Sequence, residues 1–280
     1  MTISALEIFK IGIGPSSSHT MGPMRAGCTF VTELGERIGD TAKVRVDLFG
    51  SLAATGVGHG TDRAAVGGLL GYSPEDCDPD EYSNALDQVT ATGRLRLNGR
   101  QEVPFTWADD LTFNLQSKPL HPNAMTITAT DVSGTEVHEN TYYSIGGGFI
   151  IDQAQAESGQ RGVEAAAVEF PFGTAAELLA ICDQEGLSIA QVVARNELAW
   201  RSADELRDGL RQVWAVMCGC IERGLRQEGI LPGGLRVPRR APELFRHLNS
   251  RDAVPNLITQ TFSAMDWVNL YALAVNEENA

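Results

Sequence analysis

Hydrophobic and polar residues follow two different rhythms along this chain, and the change comes near residue 150. Before it, VRVDLF at 44–49, GRLRLN at 93–98, MTITAT at 125–130 and VHENTYYSI at 137–145 alternate with a period of two. Each predicts a half-buried strand, because successive side chains of a strand point to opposite faces. Asn98-Gly99 lies between RLRL and QEVPFTW and predicts a tight hairpin, since such turns need residues that accept positive φ. Helices are expected over roughly 20–38, 61–70 and 80–91. The first half therefore reads as α+β, with a mostly antiparallel sheet.

Beyond residue 150 no stretch reads convincingly as a strand. Thr174-Ala-Ala-Glu177, Ser188-Ile-Ala-Gln191 and Ser202-Ala-Asp-Glu205 each fit a capping box, in which a hydroxyl and an acidic or amide side chain satisfy free N–H groups reciprocally. From Glu205 onward Leu206, Leu210, Val213, Trp214, Met217, Ile221 and Leu225 keep helical spacing. LPGGLRVPRRAP at 231–242 is irregular, and a last helix is expected from near Pro255. Its apolar residues Leu257, Phe262, Trp267, Leu270 and Leu273 cover more than one face, which predicts a buried helix. The expectation is an α+β domain over 1–150 followed by an all-α domain over 151–280.

Composition narrows the function. The 280 residues carry 22 Lys+Arg against 36 Asp+Glu, a formal charge of −14. That balance argues against a nucleic-acid partner; Arg236, Arg239 and Arg240 form the one tight basic cluster. No apolar run approaches the roughly 18 residues of a membrane span, so no membrane partner is expected. MTISALEIFK has no basic leader region. Five cysteines at irregular spacing, Cys28, Cys77, Cys182, Cys218 and Cys220, predict reduced thiols in the cytoplasm. Cys218-Gly-Cys220 stands alone and does not make a zinc site. Lysine occurs only at Lys10, Lys43 and Lys118, none in a Gly/Ser loop, which argues against a pyridoxal Schiff base.

Four segments could carry chemistry. In Gly12-Ile-Gly-Pro-Ser-Ser-Ser-His-Thr20, a loop of hydroxyls enters a helix, and a helix N-terminus attracts a carboxylate or phosphate. An ordinary serine cap is the competing reading. The loop lacks the lysine of a nucleotide-binding P-loop. In Ala54-Thr-Gly-Val-Gly-His-Gly-Thr-Asp62, His59 sits between glycines, with Asp62 placed to cap the next helix or to orient the imidazole. His121-Pro-Asn123 precedes a strand, and Ser144-Ile-Gly-Gly-Gly148 ends one. A turn histidine and an interdomain linker are the plainer readings of these two. His138 and His247 read as structural.

KIGIGPSSSHTMGPMRAG (10–27), TGVGHGTD (55–62), HPN (121–123), YYSIGGGF (142–149), LPGGLRVPRRA (231–241) and MDWVNLYALAVNEENA (265–280) together resemble the iron–sulfur-dependent L-serine dehydratases, or L-serine ammonia-lyases. The resemblance spans the chain in order. It implies an α+β domain similar to a regulatory substrate-binding domain, then part of an all-helical catalytic domain. It implies a cytoplasmic, homodimeric lyase that converts L-serine to pyruvate and ammonia in amino-acid catabolism and gluconeogenesis. Its cofactor would be a [4Fe-4S] cluster, without pyridoxal phosphate. Ser16, Ser17, Ser18, His19 and Thr20 would cradle the carboxylate, with Asp62 and Asn123 contributing to substrate binding. His59 and His121 are the candidates for proton transfer, Ser144 would hold substrate or a histidine, and which histidine is the base stays open. The cluster cysteines of the family lie beyond the stretch matching NEENA, and so are expected beyond Ala280. The chain is therefore expected to be the N-terminal part of a longer enzyme and to hold no stable cluster by itself. Two other classes remain: a non-catalytic carboxylate-binding regulatory module, and a metal hydrolase built on His59, His121 and Asp62.

Overall fold

The computed structural model describes residues 4–159, 167–231, 236–249 and 257–279. In chain order the helices are α1 (Ala5–Ile8), α2 (Gly22–Leu34), α3 (Ser51–Ala54), α4 (Thr61–Leu70), α5 (Pro79–Thr92), α6 (Gln153–Glu157), α7 (Ala175–Glu185), α8 (Ile189–Glu197), α9 (Ala203–Gly224), α10 (Ala241–Asn249) and α11 (Leu257–Asn279). The strands are β1 (Lys43–Gly50), β2 (Arg94–Leu97), β3 (Gln101–Pro104), β4 (Leu111–Asn114), β5 (Asn123–Thr130), β6 (Glu136–Gly146) and β7 (Phe149–Asp152). Contacts group the chain into two compact units: residues 12–161 with 223–280, and residues 1–11 with 162–222.

The larger unit is built on a five-stranded sheet in the order β4-β1-β5-β6-β7. It is mixed: β1 runs parallel to β4 (Val46 opposite Leu111), and the other pairs are antiparallel. Val44, Val46 and Leu48 are fully buried at alternate positions of β1, so the period-two reading of that strand holds. They share one core with Met24, Phe30 and Leu34 of α2 and with Val66 and Leu69 of α4. At the far side His138, Asn140 and Tyr142, alternate residues of β6, all donate to Glu33 Oε2 of α2 at 3.0, 3.1 and 2.6 Å. The Asn98-Gly99 hairpin forms between β2 and β3, with φ of 44° and 66° at its two central residues.

Three sequence expectations need correction. The helix expected over 20–38 is divided into a π-helical turn (Ser17–Met21), α2, and a 3-10 helix (Gly35–Asp40). A strand does extend past residue 150. β7 (FIID) is a short apolar run without alternation, so only its pairing with β6 defines it. The last helix is not buried all round. Leu270 and Ala274 face α10 in a small core with Leu244, Phe245 and Trp267, whereas Met265, Val268 and Tyr271 are exposed. Leu257 and Phe262 fall outside the residues whose side chains are described.

In the smaller unit all three capping boxes form: Thr174 with Glu177, Ser188 with Gln191, and Ser202 with Glu205. Glu197 is buried and ties α1 to α8. It accepts from Ser4 Oγ at 2.9 Å and from the Ala5 amide at 2.6 Å, and it pairs with Arg201 at 2.6 Å. A buried carboxylate needs such partners, because an unpaired one is costly.

α2 and α4 approach backbone to backbone. A Cβ on Gly68 would stand 2.0 Å from the Met24 carbonyl oxygen, and one on Gly27 would stand 2.5 Å from that of Ala65. Alanine in place of a helical glycine ordinarily adds about 1 kcal/mol of stability. Gly68→Ala should do the reverse and cost about 1–3 kcal/mol through overpacking. Gly219→Ala in α9, where a Cβ meets nothing within 4 Å, should follow the ordinary rule. Denaturant unfolding of both variants checks the opposite signs.

Candidate active site

The serine turn is organised by its first residue. Ser16 is extended, and its Oγ accepts from the His19 amide at 3.2 Å. Its carbonyl accepts from the amides of Thr20 and Met21 at 2.8 and 3.2 Å, and its own amide donates to Thr20 Oγ1 at 3.2 Å. Ser18 Oγ lies 3.4 Å from Ser16 Oγ and 2.9 Å from His19 Nδ1. Ser17 is exposed. The sequence wraps this way because a serine cap satisfies amides that a helical start leaves unpaired. Hydroxyls and amides therefore gather at the start of the helical turn, where negative charge is favoured.

Two further contacts bring the His59 loop onto this turn. Thr20 Oγ1 donates to the His59 carbonyl at 2.9 Å, and the imidazoles of His19 and His59 have centroids 5.2 Å apart. His19 Nε2 lies 3.0 Å from Ser51 Oγ, at the end of β1. Burial, and then the neighbouring His59, push the His19 pKa below its ordinary value. His59 Nδ1 lies 3.0 Å from the Thr55 carbonyl. A carbonyl only accepts, so that contact puts the neutral ring's proton on Nδ1 and leaves the Nε2 lone pair available.

The second cluster is His121, Asn123 and Ser144. The Asn123 amide donates to His121 Nδ1 at 3.1 Å, so the neutral ring carries its proton on Nε2, the opposite tautomer to His59. Burial lowers the His121 pKa. Asn123 Nδ2 donates to the Ser144 carbonyl at 3.3 Å across β5 and β6. The Ser144 hydroxyl is buried without a hydrogen-bond partner among the described residues. It sits where a Cβ on Gly22 would come within 2.3 Å, so glycine at the start of α2 makes room for it. The Ser51 amide donates to the Pro122 carbonyl at 3.0 Å, which joins this cluster to the residue that holds His19.

Asp62 does not orient the His59 ring, and its carboxyl reaches backbone amides in the first turn of α4 without occupying the cap position. Gly60, in the left-handed conformation, occupies the cap of α4, and the His59 ring is oriented by Thr55. The Asp62 carboxyl is pushed up by burial, against hydrogen bonds from backbone amides. The glycine triplet turns β6 into β7: Gly146, Gly147 and Gly148 all have positive φ, and Arg25 Nη1 donates to the Gly148 carbonyl. Sequence reasoning missed Ser51, Thr55 and Gly22. Their types are ordinary, and only tertiary contacts give them a part. Among the described residues no three of His, Cys, Asp and Glu converge to hold a metal ion, and none of the five cysteines forms a disulfide. The last described residue is Asn279. Ala280, and with it the expectation of cluster cysteines beyond Ala280, lies outside the described residues.

The lowered pKa of His19 fixes the direction of a pH effect. The unfolded chain takes up this proton more readily than the folded one, so the contribution of the site to stability is present above the ordinary value of about 6.5 and is lost as pH falls. The thermal midpoint should fall between pH of about 7.5 and about 5.5, and His19→Gln should reduce that fall. Thermal unfolding across this range measures both.

Comparison with known proteins agrees with this layout. The family model described as serine dehydratase beta chain matches residues 4–155, and that described as serine dehydratase alpha chain matches residues 184–280. An L-serine dehydratase of Streptomyces coelicolor is 44% identical over 283 residues, covering 100% of this chain and 61% of the relative. L-serine dehydratase 2 of Escherichia coli is 47% identical over 282 residues, covering 99% of this chain and 60% of the relative. One of Haemophilus influenzae is 44% identical over 281 residues, covering 99% and 61%. The chain thus spans about three fifths of the length of the curated relatives it matches. With matches that run from its first helix to its last, the chain belongs to the serine dehydratase family.

Proposed function

We propose that the protein is an L-serine ammonia-lyase. The observation that carries the reading is the pair of imidazoles in opposite tautomers, His59 with a free Nε2 on the loop bonded to the turn of hydroxyls, and His121 with a protonated one in the cluster of Asn123 and Ser144. L-Serine has a weakly acidic α-proton and a poor leaving group. His59 Nε2 takes the α-proton, and an imidazole is suited to this near neutral pH. His121 presents its Nε2 proton to a substrate oxygen. Ser16 and Ser18 hold the carboxylate through their hydroxyls, with Ser17 at the exposed rim, and Ser144 offers its unpartnered hydroxyl. The hydroxyl, held by the His121 Nε2–H, leaves as water with the proton that His59 returns to it, and 2-aminoacrylate remains. Its imine form then hydrolyses to pyruvate and ammonia.

The [4Fe-4S] cluster that the resemblance implies does not fit the described residues, which bring no set of ligands to one point, and no step above uses it. In the proposal the cluster belongs to the whole protein, held by cysteines beyond Ala280, and that protein works in the cytoplasm as a homodimer. Residues 1–150 form its beta-type part and 151–280 the first portion of its alpha-type part. Opposite tautomers count against a purely regulatory module, which needs a carboxylate cradle but no acid–base pair.

The natural full-length protein should release pyruvate from L-serine without added pyridoxal, and should keep doing so after a carbonyl reagent that traps pyridoxal. Loss of activity on that treatment would refute the reading. Serine binding without pyruvate release would favour the regulatory module. Iron with acid-labile sulfide is expected in the same preparation; metal without sulfide would point to a hydrolase instead. His59→Ala should lower kcat by on the order of 10²-fold, the usual worth of a general base, with the thermal midpoint maintained. A lowered midpoint with normal kcat would make His59 a structural residue.

A further inference from the structure

We propose that Asn279, in the last turn of α11, is a positioning residue that sets His59 through a directed chain of hydrogen bonds; the inference rests on reading His59 as the base. Asn279 Nδ2 donates to the Pro15 carbonyl at 3.3 Å. That carbonyl belongs to the same peptide unit as the Ser16 amide, which donates to Thr20 Oγ1 at 3.2 Å. The Thr20 hydroxyl, on a buried residue, then donates to the His59 carbonyl at 2.9 Å. A hydroxyl has one proton, and that of Thr20 is given to His59, so its lone pair must face Ser16. Donors and acceptors are thus aligned in one sense from Asn279 to His59, and each bond polarises the next.

The geometry leaves no slack at the first link. A Cβ on Gly14 would stand 2.1 Å from Asn279 Oδ1 and 2.4 Å from its carbonyl oxygen, so loop and helix end meet without an intervening side chain. The two residues before Asn279 fix that helix end. Glu277 is buried and accepts from the amides of Arg240 and Ala241, at 2.9 and 3.2 Å, where α10 begins. Glu278 pairs with Arg223 at 2.6 Å and also with Arg239, and Arg223 reaches Asp80 of α5 at 2.6 Å. One turn earlier, a Cβ on Gly224 would stand 2.5 Å from the Ala274 carbonyl oxygen. The stretches NEENA and RVPRRA, which place no side chain in the site, thereby gain a part in it: they hold Asn279 against Pro15.

The test uses Asn279→Ala and Asn279→Asp in the natural full-length protein. The aspartate matches the size of asparagine but, ionised, has no proton to donate. Hydrogen exchange followed by mass spectrometry needs no substrate. It should show faster exchange confined to the segments around 15–21 and 55–60 in both variants. Steady-state assays should show kcat for pyruvate release reduced about tenfold, part of the roughly 10²-fold that a misplaced catalytic group can cost. KM for L-serine should stay within roughly twofold, as expected when only the chemical step is affected. Unchanged exchange in both segments overturns the proposal, and so does local loosening with unchanged kcat. A general rise in exchange with a lowered thermal midpoint also overturns it, because it marks a merely structural contact. If the unaltered protein releases no pyruvate, the functional reading fails, and the exchange pattern alone still decides whether the hydrogen-bond chain exists.

Discussion

The backbones of α2 and α4 touch where Gly27 and Gly68 leave no space for a side chain, and the rest of the site follows from that contact. Each helix continues a loop that carries an imidazole. The serine turn runs into α2 at Gly22, and the His59 loop enters α4 through Gly60. With the helix bodies in backbone contact, their starting turns also lie side by side, close enough for Thr20 to bond the His59 carbonyl and for the two rings to stand 5.2 Å apart. Larger side chains at the crossing would separate the axes, and interiors packed this tightly pass such a displacement on rather than absorb it. Gly22 extends the same logic to a third element, since its missing side chain lets Ser144 of β6 approach the start of α2.

On the proposed reading, a chain with a formal charge of −14 must keep its carboxylates away from the site that takes an anion. The structure does so by engaging them elsewhere. Glu33 gathers three donors from β6, Glu197 anchors α1, Glu277 caps α10, and Glu278 faces two arginines. Around the serine turn the side chains are hydroxyls and imidazoles. Burial pushes the pKa of Asp62, the carboxyl of the His59 loop, upward. On the proposed reading, a substrate carboxylate meets these hydroxyls at the start of a helical turn, where negative charge is favoured.

Much of this was legible in the sequence. Strands β1, β2, β5 and β6 follow the period-two segments closely, the Asn98-Gly99 turn forms as expected, and all three capping boxes start helices. β7 is a short apolar run without alternation and β4 a short stretch among polar residues, so only their pairing with β6 and β1 defines them. In α11, apolar residues on several faces do not say which face a neighbour covers: α10 covers Leu270 and Ala274, while Met265, Val268 and Tyr271 stay exposed. The loops carrying His19, His59, His121 and Ser144 stood out by composition. Ser51, Thr55 and the tautomers did not, because each depends on which atom faces a nitrogen after folding.

The proximity of His19 to His59 adds a constraint on the chemistry. Two imidazolium ions with ring centroids about 5 Å apart would repel strongly in a partly desolvated site. A base that takes a proton next to a second imidazole works only if that neighbour is neutral at that moment. Burial and the proximity of His59 both hold the His19 pKa down, and that favours a neutral His19. It then serves through its hydrogen bonds, between Ser18 on one nitrogen and Ser51 on the other. The two hydroxyls can each reverse their roles as donor and acceptor, so a neutral His19 is satisfied in either tautomer. His59, tied at one nitrogen to a carbonyl that cannot donate, has only Nε2 left for a proton.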